Sequence, residues 1–118
     1  MCIRDRNYPK YSDTKEYYEA CKLSDGGYGG LLSCTFYNME DAATFYDHLD
    51  TQKGPSLGTN FTLSSPFVIL AHFNELDWAA KYGCEASLIR FSVGLEETAA
   101  LKGVIDFALA ALDGNAAK

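Results

Sequence analysis

Ile89-Arg90-Phe91-Ser92-Val93-Gly94-Leu95-Glu96 decides the fold reading, because a single arginine interrupts an otherwise cleanly alternating apolar strand. Side chains along a strand alternate between its two faces, so Ile89, Phe91 and Val93 share one face while Leu88, Arg90 and Ser92 share the other. The first set feeds a core. Arg90 points away from that core, and its cation needs a partner there, either an acidic neighbour such as Asp77 or Glu96 or an anionic ligand.

Outward from this strand, Leu101, Val104, Ile105, Ala108 and Leu112 recur at helical spacing and predict a final helix over about 97–112. Glu96 and Glu97 fall near its positive N-terminal end, and residues 114–118 are expected to fray. Upstream, Asn74 is expected to open a short helix running to Lys81. Phe67-Val68-Ile69-Leu70 stays open between a short buried strand and a packed loop. Leu57, Thr59, Phe61 and Leu63 predict a strand that ends at Ser64-Ser65-Pro66.

Asn38 is placed to cap a helix whose apolar residues run from Met39 to Leu49, with Gly54-Pro55 as its stop. Leu32, Cys34 and Phe36 define one face of a strand over 31–37. Asp13 and Glu16 read as a capping box for a helix reaching about Leu23, with the turn-rich linker Asp25–Gly30 after it. Met1-Cys2-Ile3-Arg4-Asp5-Arg6 joins poorly to the chain from Asn7 onward and resembles translated adaptor sequence, so residues 1–6 are set aside as a non-native leader. The domain is expected over residues 7–113, as a fragment of a longer protein. Three strands separated by helices predict an α+β fold, a small mainly antiparallel sheet with helices packed on one face.

Composition narrows the function. The 118 residues, 47% of them hydrophobic, suit one modest core. A net charge of -6, with scattered lysines and arginines, argues against a nucleic-acid surface. No apolar run is long enough for a secretory signal or a membrane span, so a cytoplasmic location is expected and the Asn60-Phe61-Thr62 sequon carries little weight. Cys2, Cys21, Cys34 and Cys84 form no CxxC pair and no zinc spacing, so reduced thiols and no metal site are expected. Asp47-His48-Leu49-Asp50 has the composition of a metal cluster, but neighbouring helical positions point in different directions. Trp78 reads as a packing anchor on its short helix or as part of an inter-subunit surface.

The segment Arg90-Phe91-Ser92-Val93-Gly94-Leu95-Glu96 resembles the Arg-Leu-Ser-Val-Gly-Ile-Glu motif near the C-terminus of the Cys/Met-metabolism, or trans-sulfuration, family of pyridoxal-phosphate (PLP) enzymes. Tyr8-Pro9, Gly29-Gly30-Leu31-Leu32-Ser33, Ser56-Leu57-Gly58 and His72 are similar to further family elements, in family order and at about family spacing. Thr59-Asn60-Phe61-Thr62 departs from the usual Gly-x-Glu-Ser, which marks a divergent branch.

The resemblance implies the C-terminal domain of an aspartate-aminotransferase-like, fold-type-I enzyme. It further implies that Arg90 binds the substrate α-carboxylate, that Ser56 lies beside the substrate, and that Leu57 and Gly58 stand near the active site. The implied parent is a homodimer or homotetramer acting on sulfur amino acids or O-acylhomoserine by β/γ-elimination or γ-replacement. The Schiff-base lysine, the aspartate for the pyridine nitrogen and the phosphate cup belong to a large N-terminal domain and have no counterpart here. No catalytic residue is therefore assigned, and the chain by itself is expected to be inactive. For Arg90 the ion pair remains the competing reading, and for Ser56 a plain turn position after Pro55. Gly58 is expected to allow close backbone approach. The rival at the level of the whole chain is a free-standing module that binds an amino acid, or oligomerises, without chemistry.

Overall fold

The computed structural model describes residues 2–116. Five strands form one sheet in the order β1-β2-β5-β4-β3: β1 (Ile3–Asn7), β2 (Leu31–Phe36), β3 (Gln52–Lys53), β4 (Leu63–Ser65) and β5 (Leu88–Ser92). Every neighbouring pair is antiparallel except β3 with β4. The sheet is small and mainly antiparallel, as the sequence predicts, with five strands where three are expected.

Alternation works as expected. Leu32, Cys34 and Phe36 of β2 and Ile89 and Phe91 of β5 turn to one face. There they meet α2 (Met39–His48) and α5 (Thr98–Ala116), which contribute Ala42, Phe45, Ala108 and Leu112, together with Leu49 just beyond α2. The Phe45 ring packs against Phe36 and Phe91, with centroids 5.1 and 6.2 Å away. Asn38 caps α2 as predicted, its Oδ1 accepting the Asp41 backbone N–H at 2.8 Å.

Several boundaries differ from the expectations. Residues 57–62, expected as a strand, are loop, and only Leu63–Ser65 joins the sheet. The alternation of Leu57, Thr59 and Phe61 misleads because the loop bonds through its backbone to Ser92 and to residues beyond β5. Phe67–Ala71, for which the sequence leaves strand and loop open, is the short helix α3. The next helix, α4 (Leu76–Ala80), is preceded by a 3₁₀ turn, Phe73–Glu75. Val68 of α3 and Ala79 of α4 pack on Leu88, so these two short helices collect at a β5 residue of the Arg90 parity.

Near the N-terminus, α1 spans Lys15–Cys21, and its N-cap Thr14 makes no side-chain cap bond. The expected capping box at Asp13 does not form. The Ser12 hydroxyl accepts the Thr14 N–H instead, at 3.1 Å. Ile3–Asn7 is β1, the edge strand on β2, and it takes in residues 3–6 of the expected leader. α2 ends at His48, well before Gly54-Pro55. α5 continues past the expected fraying point to Ala116, and the last two residues of the expected tail, 117 and 118, lie outside the described residues. No helix among the described residues is long and apolar enough to cross a membrane.

Candidate functional site

Cross-strand partners in an antiparallel sheet place their side chains on the same face. Arg90 of β5 pairs with Ser33 of β2 on one side and with Ser65 of β4 on the other, and Ser33 pairs in turn with Asn7 of β1. A polar row therefore crosses four strands on the face opposite α2 and α5, with the guanidinium as its only charge. Asn7 Nδ2 donates to Ser33 Oγ at 3.3 Å. Ser65 is 1% exposed, and its Oγ has no hydrogen-bond partner among the described residues. A hydroxyl buried without a partner costs about 1–3 kcal/mol, so such groups are rare in finished sites.

Arg90 is half-buried. One Nη2–H donates to the Pro55 carbonyl at 2.5 Å, and the guanidinium carbon lies 4.8 Å from the centre of the Phe67 ring. Among the described residues no carboxylate is within ion-pair distance of it. The sequence-based alternative, a salt bridge to Asp77 or Glu96, does not form. Glu96 is instead committed to Thr62: its Oε1 accepts the Thr62 N–H at 2.5 Å and its Oε2 accepts the Thr62 hydroxyl at 2.7 Å. These bonds, the backbone N–H first, hold the Glu96 carboxyl below the ordinary carboxylate range.

Ser56 comes directly after Pro55 and is exposed, with a hydroxyl that makes no hydrogen bond among the described residues. Leu57 and Gly58 line a shallow cavity of about 270 Å³ together with Gly30, Leu31, Ser92 and Val93. Gly58 has φ 74°, and a Cβ built on it would meet nothing within 4 Å. Its requirement is thus the left-handed backbone, not the close approach expected from the sequence. His72 stands one step further out. Its Nδ1 is 2.7 Å from Glu75 Oε1, and its ring meets Phe67 edge-on, with centroids 5.9 Å apart. His48 bonds the Thr44 carbonyl within its own helix, and no cluster of three metal-ligating side chains occurs among the described residues.

The sequence singles out Arg90, Ser56, Leu57 and Gly58 but not Ser65, Phe67 or Thr62, which the fold places against Arg90 or against the loop that carries Ser56. Phe67 and Ser65 reach Arg90 through strand register and the turn into α3, neither of which has a local sequence signal. Thr62 lies within a motif position that departs from the family pattern. That departure is the available clue.

Three of the described lysines have partners of their own. Lys15 pairs with Glu19, Lys102 with Asp106, and Lys53 donates to the Tyr46 and Leu49 carbonyls. No described hydrogen bond joins a lysine to the residues around Arg90. What the cluster does fit is a carboxylate: a planar donor fork, mostly unspent, beside free hydroxyls.

No protein-family model matches the chain. Among curated proteins, the cystathionine gamma-synthase of Neurospora crassa is 58% identical over 107 residues, which is 91% of this chain and 17% of that protein. The cystathionine gamma-synthase of Saccharomyces cerevisiae is 50% identical over 105 residues, 86% of this chain and 16% of the relative. Among solved structures, yeast cystathionine gamma-lyase superposes with a TM-score of 0.81 at 25% identity, over 95% of this chain and 30% of that one. The chain therefore spans about a sixth of the length of these curated relatives.

The five-stranded, mainly antiparallel sheet with its helices matches the C-terminal domain of a fold-type-I PLP enzyme. The chain belongs, as a C-terminal domain, to the Cys/Met-metabolism, or trans-sulfuration, family, and the curated relatives it matches here are cystathionine gamma-synthases.

Proposed function

We propose that this chain supplies the substrate-carboxylate clamp of a PLP-dependent trans-sulfuration enzyme acting on sulfur amino acids or O-acylhomoserine. Arg90 grips the α-carboxylate and Ser56 borders it. The observation that carries the reading is the half-buried guanidinium with no acidic partner among the described residues. Removing a cation from water without a counter-ion is costly, and an incoming carboxylate offsets that cost.

A guanidinium presents parallel N–H donors that match both oxygens of a carboxylate, each charge-assisted bond contributing roughly 1.5–3 kcal/mol. The Phe67 ring limits where the fork can swing, and the Pro55 carbonyl takes one donor while leaving the others. An amino acid fixed at its carboxylate has its Cα and side chain directed by that anchor. PLP, held by the remainder of the parent protein, supplies the electron sink for elimination or replacement. Everything this chain does is binding and orientation.

Arg90→Lys in the full-length parent is expected to lower kcat/KM by roughly 10- to 1000-fold, because an ammonium cannot reproduce the fork. Unchanged kinetics would remove the assigned role. Incubating this chain alone with PLP is expected to leave no cofactor absorbance after dialysis, and a stoichiometric chromophore that survives would contradict this division of labour.

A further inference from the structure

Loop 55–62 touches β5 and its continuation mainly at residues of one parity. Arg90 donates to the Pro55 carbonyl. Ser92 Oγ accepts the Gly58 N–H at 3.1 Å. Gly94 N–H donates to Thr62 Oγ1 at 3.0 Å, and the Gly94 backbone lies so close to Phe61 that an added Cβ would overlap the Phe61 carbonyl carbon. Glu96 takes both donors of Thr62, while Leu95 N–H bonds the Asn60 carbonyl at 2.8 Å. The residues Arg90, Ser92, Gly94 and Glu96 thus form a zipper along which the loop carrying Ser56 is laid.

Glu96 is the terminal fastening, and its chemistry is specific. Thr62 Oγ1 already accepts from Gly94 N–H, so its own proton is directed at Glu96, as is the Thr62 backbone proton. Two donors converge on one side chain. Only an acceptor-only group with two oxygens satisfies both, and among side chains that is an ionised carboxylate. Glutamine would offer one oxygen and turn an N–H₂ donor toward the second proton.

We infer that Glu96 is a positioning residue for the substrate site: by holding Thr62 it fixes loop 55–62, and through that loop the Pro55 carbonyl and Ser56 beside Arg90. The role of the loop in binding rests on the carboxylate-clamp reading of Arg90, whereas the fixing of the loop does not.

The experiment compares this chain with Glu96→Gln, Thr62→Val and Thr62→Ser by NMR amide hydrogen exchange, with L-cystathionine titrated into each. The Arg90 side-chain N–H resonances report the guanidinium directly. In Glu96→Gln and Thr62→Val, the Gly58 and Leu95 amides are expected to exchange about tenfold faster or more, while the β-sheet amides of Phe36 and Ile89 keep their protection. The Arg90 guanidinium is expected to rotate more freely, and any L-cystathionine affinity to weaken about fivefold or more. Thr62→Ser, which keeps the hydroxyl, is expected to behave as the parent chain. Unchanged Gly58 and Leu95 protection in both disruptive variants would overturn the inference, as would a loss of protection spread evenly over the core. A chain that shows the zipper in exchange but no L-cystathionine response would leave Glu96 as the fastening of the loop and the Arg90 reading to the Arg90→Lys kinetics of the full-length parent.

Discussion

An ideal Cβ on Gly94 would stand 2.6 Å from the Phe61 Cα and 2.7 Å from the Asn60 oxygen, and would overlap the Phe61 carbonyl carbon, all of them backbone atoms that cannot rotate aside. Gly94→Ala is therefore expected to cost about 2 kcal/mol or more, at the upper part of the usual overpacking range, and urea denaturation would measure it. Wild-type stability in the variant would mean that the loop moves freely off β5. Glu96 adds a pH dependence at the same scale. Its carboxyl is depressed in the fold, so its contribution is complete above the ordinary glutamate value of about 4.3 and is lost as pH falls through the lower folded value. Glu19 is also held low, first by the Tyr28 hydroxyl and then by Lys15. The acid-side stability slope should therefore be shallower in Glu96→Gln than in the parent chain, and identical slopes in acid titrations would show that Glu96 is not linked to folding.

At the scale of elements, α2 offers the cleanest test because its cap is readable in the sequence and present in the structure. Asn38→Ala removes the acceptor for Asp41 N–H and should cost about 1 kcal/mol, seen as a lower thermal or urea midpoint; Asn38→Ser should restore most of it. Elements carrying their own periodicity are legible in this way: β2 and β5 through alternation, α2 and α5 through apolar stripes. Elements held by distant partners are not. The stretch 57–62 alternates like a strand, yet its backbone groups go to Ser92, Leu95 and Glu96, more than thirty residues away. β1 takes in residues 3–6, which resemble adaptor sequence, and its pairing with β2 depends on register that no local pattern encodes. The site divides along the same line. Arg90 is conspicuous as a charge in an apolar strand, whereas Ser65 and Phe67 are brought to it by β4 register and the turn into α3.

On the scale of the whole molecule, α3, α4 and the turns around them leave several large apolar side chains in water. Leu70 is 62% exposed, Phe73 69%, Trp78 52% and Tyr82 71%, and the rings of Trp78 and Tyr82 lie 5.0 Å apart. Scattered exposed apolar residues are ordinary in soluble proteins, but several gathered on adjacent short helices mark a surface that favours association. Burying such side chains stabilises contact by about 25 cal/mol for each Å² of apolar surface removed from water, while association costs several kcal/mol of lost motional freedom, so the balance depends on concentration. The chain is therefore expected to self-associate as its concentration rises in analytical ultracentrifugation. Trp78 is the only tryptophan in the sequence, so the same transition can be tracked through its fluorescence, which should shift to shorter wavelength as the indole leaves water. Trp78→Lys with Phe73→Lys should move self-association to higher concentration while leaving the Arg90 resonances in place. A chain that stays monodisperse at all concentrations, with an unshifted tryptophan and micromolar affinity for an amino acid, would favour the free-standing binding module over a domain that needs the rest of a larger enzyme.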